Sequence, residues 1–358
     1  MNRMYTSLLL IALFLALAPT SLASNTWYVN AVSGSDSNDC KTPTTASRTI
    51  GHAISLAASG DSISVAAAVY RENLTIGINL KLVGAGATTT IIDGGGHGTV
   101  VTISGQNVAL SRVTIQDGDA NTGGGIYNLG TLVLTNTVVS QNLAALGGGG
   151  IYNTGILTIN NSSITGNRAV VSSGNGATGG GIDNTGTLTI NNSTFNGNST
   201  GNGNTSGVGG VIENFFGTLT INNSTLSGNS ATGFGGGIYT YFGIVTLQNS
   251  IVANNAGGNC FGTMTSNGYN LSSDGTCNLI GTGDLNNTDP KLGPLGNYGG
   301  PTQTQALLSG SPAIDAGNPT GCTDGSGNLL KTDQRGKPRP DKEDTGGCDM
   351  GAYERQSD

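Results

Sequence analysis

Five times in this chain a run of glycines leads into an aliphatic residue, a tight turn, a short alternating strand and an asparagine. The copies begin Gly123-Gly124-Gly125-Ile126-Tyr127-Asn128, Gly148-Gly149-Gly150-Ile151-Tyr152-Asn153, Gly179-Gly180-Gly181-Ile182-Asp183-Asn184, Gly209-Gly210-Val211-Ile212-Glu213-Asn214 and Gly235-Gly236-Gly237-Ile238-Tyr239-Thr240. Their aliphatic positions lie 25, 31, 30 and 26 residues apart. A repeat at that period makes a solenoid, because each copy is one coil that cannot bury its apolar face without neighbours.

The segment after each glycine run shows what the coils contain. In Gly186-Thr187-Leu188-Thr189-Ile190-Asn191-Asn192, threonines alternate with aliphatics, the period-2 pattern of a strand with one buried face. Leu157/Ile159, Leu219/Ile221 and Val245/Leu247 are its counterparts. A second short strand ends in aliphatic-x-x-Asn: Ile164 to Asn167, Phe195 to Asn198, Leu226 to Asn229. No i, i+3, i+4 pattern is long enough for a helix here, and coils this short leave no room for crossover helices. The expected fold is therefore all-β, a parallel β-helix. Glycine (61 of 358 residues) suits its sharp corners. The recurrent Asn136, Asn161, Asn192, Asn223 and Asn249 read as a structural ladder at left-handed turns.

Met1 to Ala23 reads as a secretory signal: Arg3, the apolar Leu8-to-Ala18 run, then Ser21-Leu22-Ala23 as cleavage site. The run is too short to span a bilayer. Removing Arg3 leaves 13 cations against 21 acids, a balance that excludes nucleic acid and anionic membrane surfaces as partners. Cysteine usage fits an oxidising compartment. Cys260 is expected to pair with Cys277 and Cys322 with Cys348, which leaves Cys40 free, a bland thiol at the surface.

The remaining boundaries follow. Residues 24–60 form an N-terminal cap around a helix with Ser47 as N-cap and Ile50, Ala53, Ile54 and Ala57 on one face. Residues 61–290 form the solenoid, and 291–358 an irregular, disulfide-braced C-terminal cap. In that cap Lys331, Arg335, Lys337, Arg339 and Lys342 gather with Asp333, Asp341, Glu343 and Asp344, and are read as a solvated, salt-bridged surface.

Several motifs carry a family resemblance. They are Gly299-Gly300-Pro301-Thr302-Gln303-Thr304, Leu308-Ser309-Gly310-Ser311-Pro312-Ala313-Ile314-Asp315-Ala316-Gly317, Thr332-Asp333-Gln334-Arg335-Gly336 and Cys348-Asp349-Met350-Gly351-Ala352-Tyr353-Glu354. Together they resemble the C-terminal region of bacterial secreted right-handed β-helix proteins with a choice-of-anchor Q domain. The body repeats resemble those of chlamydial-type polymorphic outer membrane proteins. The resemblance implies a right-handed, pectin-lyase-like β-helix exported by a bacterium to the cell surface, the periplasm or the medium, and no assigned reaction. Relatives commonly carry a second cysteine seven positions after the Cys40 equivalent, where this chain has Ser47. Relatives often end in an anchoring segment, whereas this chain stops four residues after Glu354.

Right-handed β-helices often host polysaccharide-cleaving enzymes, whose chemistry needs paired carboxylates, or a cation with calcium-binding acids. Between Val113 and Asn255 the only Lys or Arg is Arg168, and the only acids are Asp117, Asp119, Asp183 and Glu213. The histidines are His52, in the cap helix, and His97. One cluster qualifies: Asp93 and Asp117 lie one coil apart beside Asp119, with His97 and Arg112 near in sequence. It is the candidate catalytic or calcium site; no other metal or cofactor is expected. Asp324-Gly325-Ser326-Gly327-Asn328 matches no complete calcium loop and reads as a turn.

Two non-catalytic surfaces stand beside it. In two adjacent coils the turn gains a residue and becomes aromatic, Asn214-Phe215-Phe216-Gly217 and Thr240-Tyr241-Phe242-Gly243. In a chain 5% aromatic, four such rings make a platform for sugars or an adhesive patch. The outward threonine column Thr158, Thr189, Thr220 and Thr246 is the second, an ice-binding pattern broken by its neighbour column Ile156, Thr187, Thr218, Ile244. The leading expectation is an exported, monomeric, non-enzymatic protein that binds carbohydrate or cell surfaces through Phe215, Phe216, Tyr241 and Phe242. Its rivals are a polysaccharide lyase or glycoside hydrolase acting through Asp93, Asp117 and Asp119, and a purely structural solenoid.

Overall fold

The computed structural model describes residues 24–171, 176–202, 206–341 and 347–356; the expected leader, together with Lys342, Glu343 and Asp344, lies outside them. The chain winds as a right-handed parallel β-helix. Each coil contributes one strand to each of three long sheets. Sheet A has ten strands, from Thr26–Val29 to Thr265–Ser266; sheet B has nine, from Ala68–Arg71 to Leu271–Ser272. Sheet C has eight, from Leu74–Ile76 to Cys260–Phe261. The chain runs B, C, A in every coil, with parallel pairing between coils. From Asp119–Thr122 onward a fourth sheet, D, is inserted at the corner between B and C; its further strands include Leu143–Gly147, Ala177–Thr178 and Gly207–Val208.

Parallel pairing without slippage turns the repeat into columns. On sheet A, Ile63, Leu82, Leu110, Leu134, Ile159, Ile190, Ile221 and Leu247 are successive Cα partners, all fully buried. Sheet C supplies Val101, Ile126, Ile151, Ile182, Ile212 and Ile238, and sheet B Ile92, Ile115, Val139, Ile164, Phe195 and Leu226. Each such side chain is worth roughly 1.5–3 kcal/mol on burial, and a one-residue slip would turn a whole column to solvent.

The corners explain the rest of the repeat. The first glycine of each run, Gly123, Gly148, Gly179, Gly209 and Gly235, sits at φ between +54° and +65°, where a Cβ is strained. Asn136, Asn161, Asn192, Asn223 and Asn249 hold φ of +47° to +51° at the corner from A to B. Separate amide ladders run through the interior. Asn128, Asn153 and Asn184 each donate to the next asparagine at 2.7 Å, the last to Asn214. Asn142, Asn167, Asn198 and Asn229 do the same at 2.9–3.0 Å, ending on Asn255. Buried amides are thereby satisfied coil by coil.

The ends differ from the sequence reading in three ways. The cap helix is Ile50–Leu56, and its N-cap is Thr49, whose hydroxyl accepts from His52 N; Ser47 instead lies beside the first strand of sheet A. Cys40 is completely buried rather than at the surface, its Sγ donating weakly to Asn38 O. Of the charges gathered in the C-terminal region, Lys331 and Lys337 are exposed, but Asp333, Arg335, Arg339 and Asp341 are buried rather than solvated. Arg339 and Glu354 form a fully buried ion pair at 2.7 Å, and Arg335 pairs with buried Asp333.

That region runs back along the solenoid as a lateral strap. Asn192 donates to Thr332 O and accepts from Arg339, Asn223 donates to Thr323 O, and Gln334 reaches Ser163 and Thr194. The corner asparagines are thus its docking rail, and Leu307, Ala313 and Met350 pack on Ile251 and Leu271. Cys322–Cys348 braces the strap, while Cys260–Cys277 continues the sheet C column after Ile238 and closes the core. The Asp324–Asn328 segment is a turn closed by its own aspartate, and Gly325 lies against Thr189 and Thr220, so the strap covers part of the threonine column.

Candidate active site and aromatic surface

Polar residues collect where sheet B ends. Arg71, Asp93, Gln116 and Ser140 are successive Cα partners at the last position of their strands, so they form an outward column at the corner toward sheet C. Asp117, in the left-handed conformation (φ +54°), then turns the chain toward Asp119 and the start of sheet D. Asp93 Oδ1 accepts from Gly95 N, Gly96 N donates to Asp117 O, and Asn73 Nδ2 ties down the carbonyls of His97 and Thr99 at 2.8 Å.

These turns enclose a cleft of about 840 Å³ lined by Arg71, Asn73, Asp93, His97, Asp117 and Asp119, with Gln141 and Leu143 at its far wall. Coil spacing alone brings Asp93, Asp117, Asp119 and His97 together. Arg112 does not join them: its guanidinium turns to Ala85 O on another corner. Arg71 and Asn73, from the preceding coil, take its place, and Arg71 is not ion-paired among the described residues.

Gln116 Nε2 lies 3.2 Å from Asp93 Oδ2 and 3.0 Å from Asp117 Oδ2. A single nitrogen in reach of both holds those oxygens no more than about 6 Å apart. Two carboxyls so placed can act on the two sides of one glycosidic bond. Among the described residues no three His, Cys, Asp or Glu side chains are placed to hold a metal ion.

The aromatic turns stand exposed at the opposite edge of sheet C, toward sheet A. Phe216 and Phe242 share φ +56°, the conformation that the inserted turn residue takes. Phe215 lies parallel to Tyr241 (6.2 Å, 5°) and Phe216 to Phe242 (5.2 Å, 21°). The rings pack on one another across coils and still meet solvent.

A carboxyl pair that the sequence listing hid lies between these regions. Asp183 and Glu213, thirty residues apart, are Cα partners on sheet C, both almost wholly buried. Thr178 Oγ1, from sheet D, donates to Asp183 Oδ2 at 2.6 Å, and Gly147 packs against the same oxygen. Burial first, then the Asp183 charge, pushes Glu213 up to about 9; burial also raises Asp183 against hydrogen bonds from Thr178 and Glu213. At neutral pH the pair therefore keeps a proton between its oxygens. Thr178 and Gly147 of sheet D close over Asp183, and the pair lies buried outside the cleft.

Compared with known proteins, the chain matches no family model and no curated protein. Among solved structures, pectate lyase Pel9A aligns over 94% of this chain and 98% of its own, at 17% identity and a TM-score of 0.52. Pectin methylesterase PemA from Erwinia chrysanthemi covers 73% of this chain and 82% of its own, at 15% identity and a TM-score of 0.36. A pectin methylesterase in complex with a hexasaccharide covers 70% and 71%, at 13% identity and a TM-score of 0.32. The first likeness is one of fold: this chain has the parallel β-helix architecture of a pectate lyase.

Proposed function

We propose that this protein is an exported enzyme that cleaves polysaccharide at the cleft between sheets B and C. The observation that carries the reading is the convergence of Asp93, Asp117, Asp119, His97 and Arg71 on one cleft, with Asp93 and Asp117 bridged by Gln116. Two close carboxyls divide the work of glycoside hydrolysis, one attacking or stabilising the sugar cation while the other donates and recovers the proton. The fold shared with a pectate lyase supports a polysaccharide as substrate. Export draws on the signal-like leader, the two disulfides and the choice-of-anchor Q motifs.

The test is product release from a panel of neutral and acidic polysaccharides by the mature chain. Asp117→Asn and Asp93→Asn are each expected to lower the rate by at least about 100-fold at unchanged melting temperature. Turnover that survives both substitutions would remove the cleft from the mechanism. A second reading, a glycan-binding or adhesive protein without turnover, draws on the exposed aromatic turns and predicts retention on the panel with no product.

A further inference from the structure

The four turn aromatics are part of a larger surface. On the strand Ile238–Tyr241, Tyr239 and Tyr241 point to the same face two residues apart. Tyr239 stacks on Phe261 of the next coil (4.9 Å, 6°), and Phe261 meets Phe234 (5.0 Å). Phe215 and Phe216 extend the set to the preceding coil. Seven rings on three adjacent coils therefore form one outward surface. Five of the chain's seven phenylalanines are in it; of the other two, Phe195 is core and Phe14 belongs to the leader. Phe234, Phe216 and Phe242 are 59%, 62% and 69% exposed. An apolar surface of this kind on a soluble solenoid marks a binding face.

Two properties identify the occupant. From Asn214 to Ser273 the chain contains no Asp, Glu, Lys, Arg or His. Glu213, the Cα partner of Tyr239, borders the rings but is buried and holds its proton, so the surface offers no cation for a lipid headgroup or a uronate and no charge pattern to select a protein partner. Its hydrogen-bonding groups are the amides and hydroxyls of Asn, Gln, Ser and Thr, which match sugar hydroxyls.

The second property is ring orientation. The stack of Phe215 and Tyr241 and the stack of Phe216 and Phe242 advance by the same coil step, about 4.8 Å. Phe215 is inclined 79° to Phe216, and Tyr241 59° to Phe242. Two stacks so inclined cannot both pile their faces along the axis. At least one stack is therefore tilted away from the axis and turns ring faces sideways to solvent, where the sugar rings of a chain lying along the solenoid can stack.

We propose that these seven rings form a docking site for a neutral, linear polysaccharide, separate from the cleft. At least three coil steps, roughly 14 Å along the axis, separate it from Asp117. It adds to the cleft reading without depending on it, because retention here requires no chemistry.

The experiment is retention of the mature chain on insoluble cellulose, β-1,3-glucan and chitin, with polygalacturonate as the acidic counterpart. Wild type is expected to be retained by at least one neutral polymer and not by polygalacturonate through this face. Phe216→Ala/Phe242→Ala and, separately, Phe234→Ala/Phe261→Ala are expected to bind about tenfold more weakly, with melting temperature and turnover of soluble substrate unchanged. Asp117→Asn is expected to keep full retention. No retention on any neutral polymer, or retention unaltered by both double variants, would overturn the proposal. So would loss of retention in Asp117→Asn, which would place binding in the cleft. A dimer in sedimentation that either double variant dissolves would assign the face to a second copy of the chain instead.

Discussion

Asp183 and Glu213 show how much one coil step can change an acid. In the sequence they are two of four acids in a long neutral stretch; in the fold they face each other under sheet D and hold a shared proton. Asp349, pushed up to about 7 by burial and by the charge of Glu354, behaves similarly in the strap. An acid whose folded pKa is raised binds more protons in the folded than in the unfolded state, so stability falls as pH rises between the two values. Glu213 and Asp349 thus weaken the fold progressively from about pH 4 to about pH 9. Asp61 works the other way. Burial would raise its carboxyl, but hydrogen bonds from Trp27, Ala58 and Asn25 hold it low, and that contribution is lost only in strong acid. The melting temperature is therefore expected to be higher at pH 5 than at pH 8. Glu213→Gln, which removes the ionisation and keeps an amide beside Asp183, is expected to flatten that slope and add roughly 1 kcal/mol at pH 8. A melting temperature that climbs from pH 5 to pH 8 would contradict the shared-proton account.

At the scale of the element, what the sequence showed depended on whether an element repeats. The strands of sheets A and C were readable because each coil restates its alternation, so Leu157/Ile159 and Leu219/Ile221 confirm one another. The first strand, Thr26–Val29, has no copy, and it falls inside what reads as a cap. The same region hides the environment of Cys40. Tyr28 accepts from Ser47 N and donates to Cys40 O, so positions 40 and 47 lie side by side along that strand, both fully buried. Ser47→Cys is accordingly expected to form a third disulfide with Cys40. A gain of about 2 kcal/mol follows from constraining the unfolded chain. It is checked by thiol titration of the denatured, unreduced protein and by the melting temperature with and without reductant. Two titratable thiols in that assay would show that the side chains do not meet.

At the scale of the whole molecule, the solenoid was legible and the strap was not. Nothing in Asp333, Arg335 and Arg339 distinguishes a charged surface from a buried network; the difference is the rail of left-handed asparagines on which they dock. The cleft was half legible for a related reason. Coil-length spacing brings Asp93 to Asp117, but Arg71 belongs to an earlier coil that lacks the glycine repeat. Arg112, near in sequence, is turned away by its own left-handed backbone. The assembled molecule places a carboxyl cleft at one edge of sheet C and aromatic rings at the other. The proposed chemistry and the proposed sugar docking thus occupy separate surfaces of one scaffold.

The most direct test of the cleft is the nature of the first product, followed by proton NMR and ultraviolet absorbance on a polysaccharide or oligosaccharide that the mature chain cleaves. Asp93 and Asp117 share the Gln116 amide in one cleft, so the account predicts hydrolysis by a carboxyl pair, with a new reducing end and no unsaturated sugar. An unsaturated product, or no product from any polysaccharide tested, would contradict it.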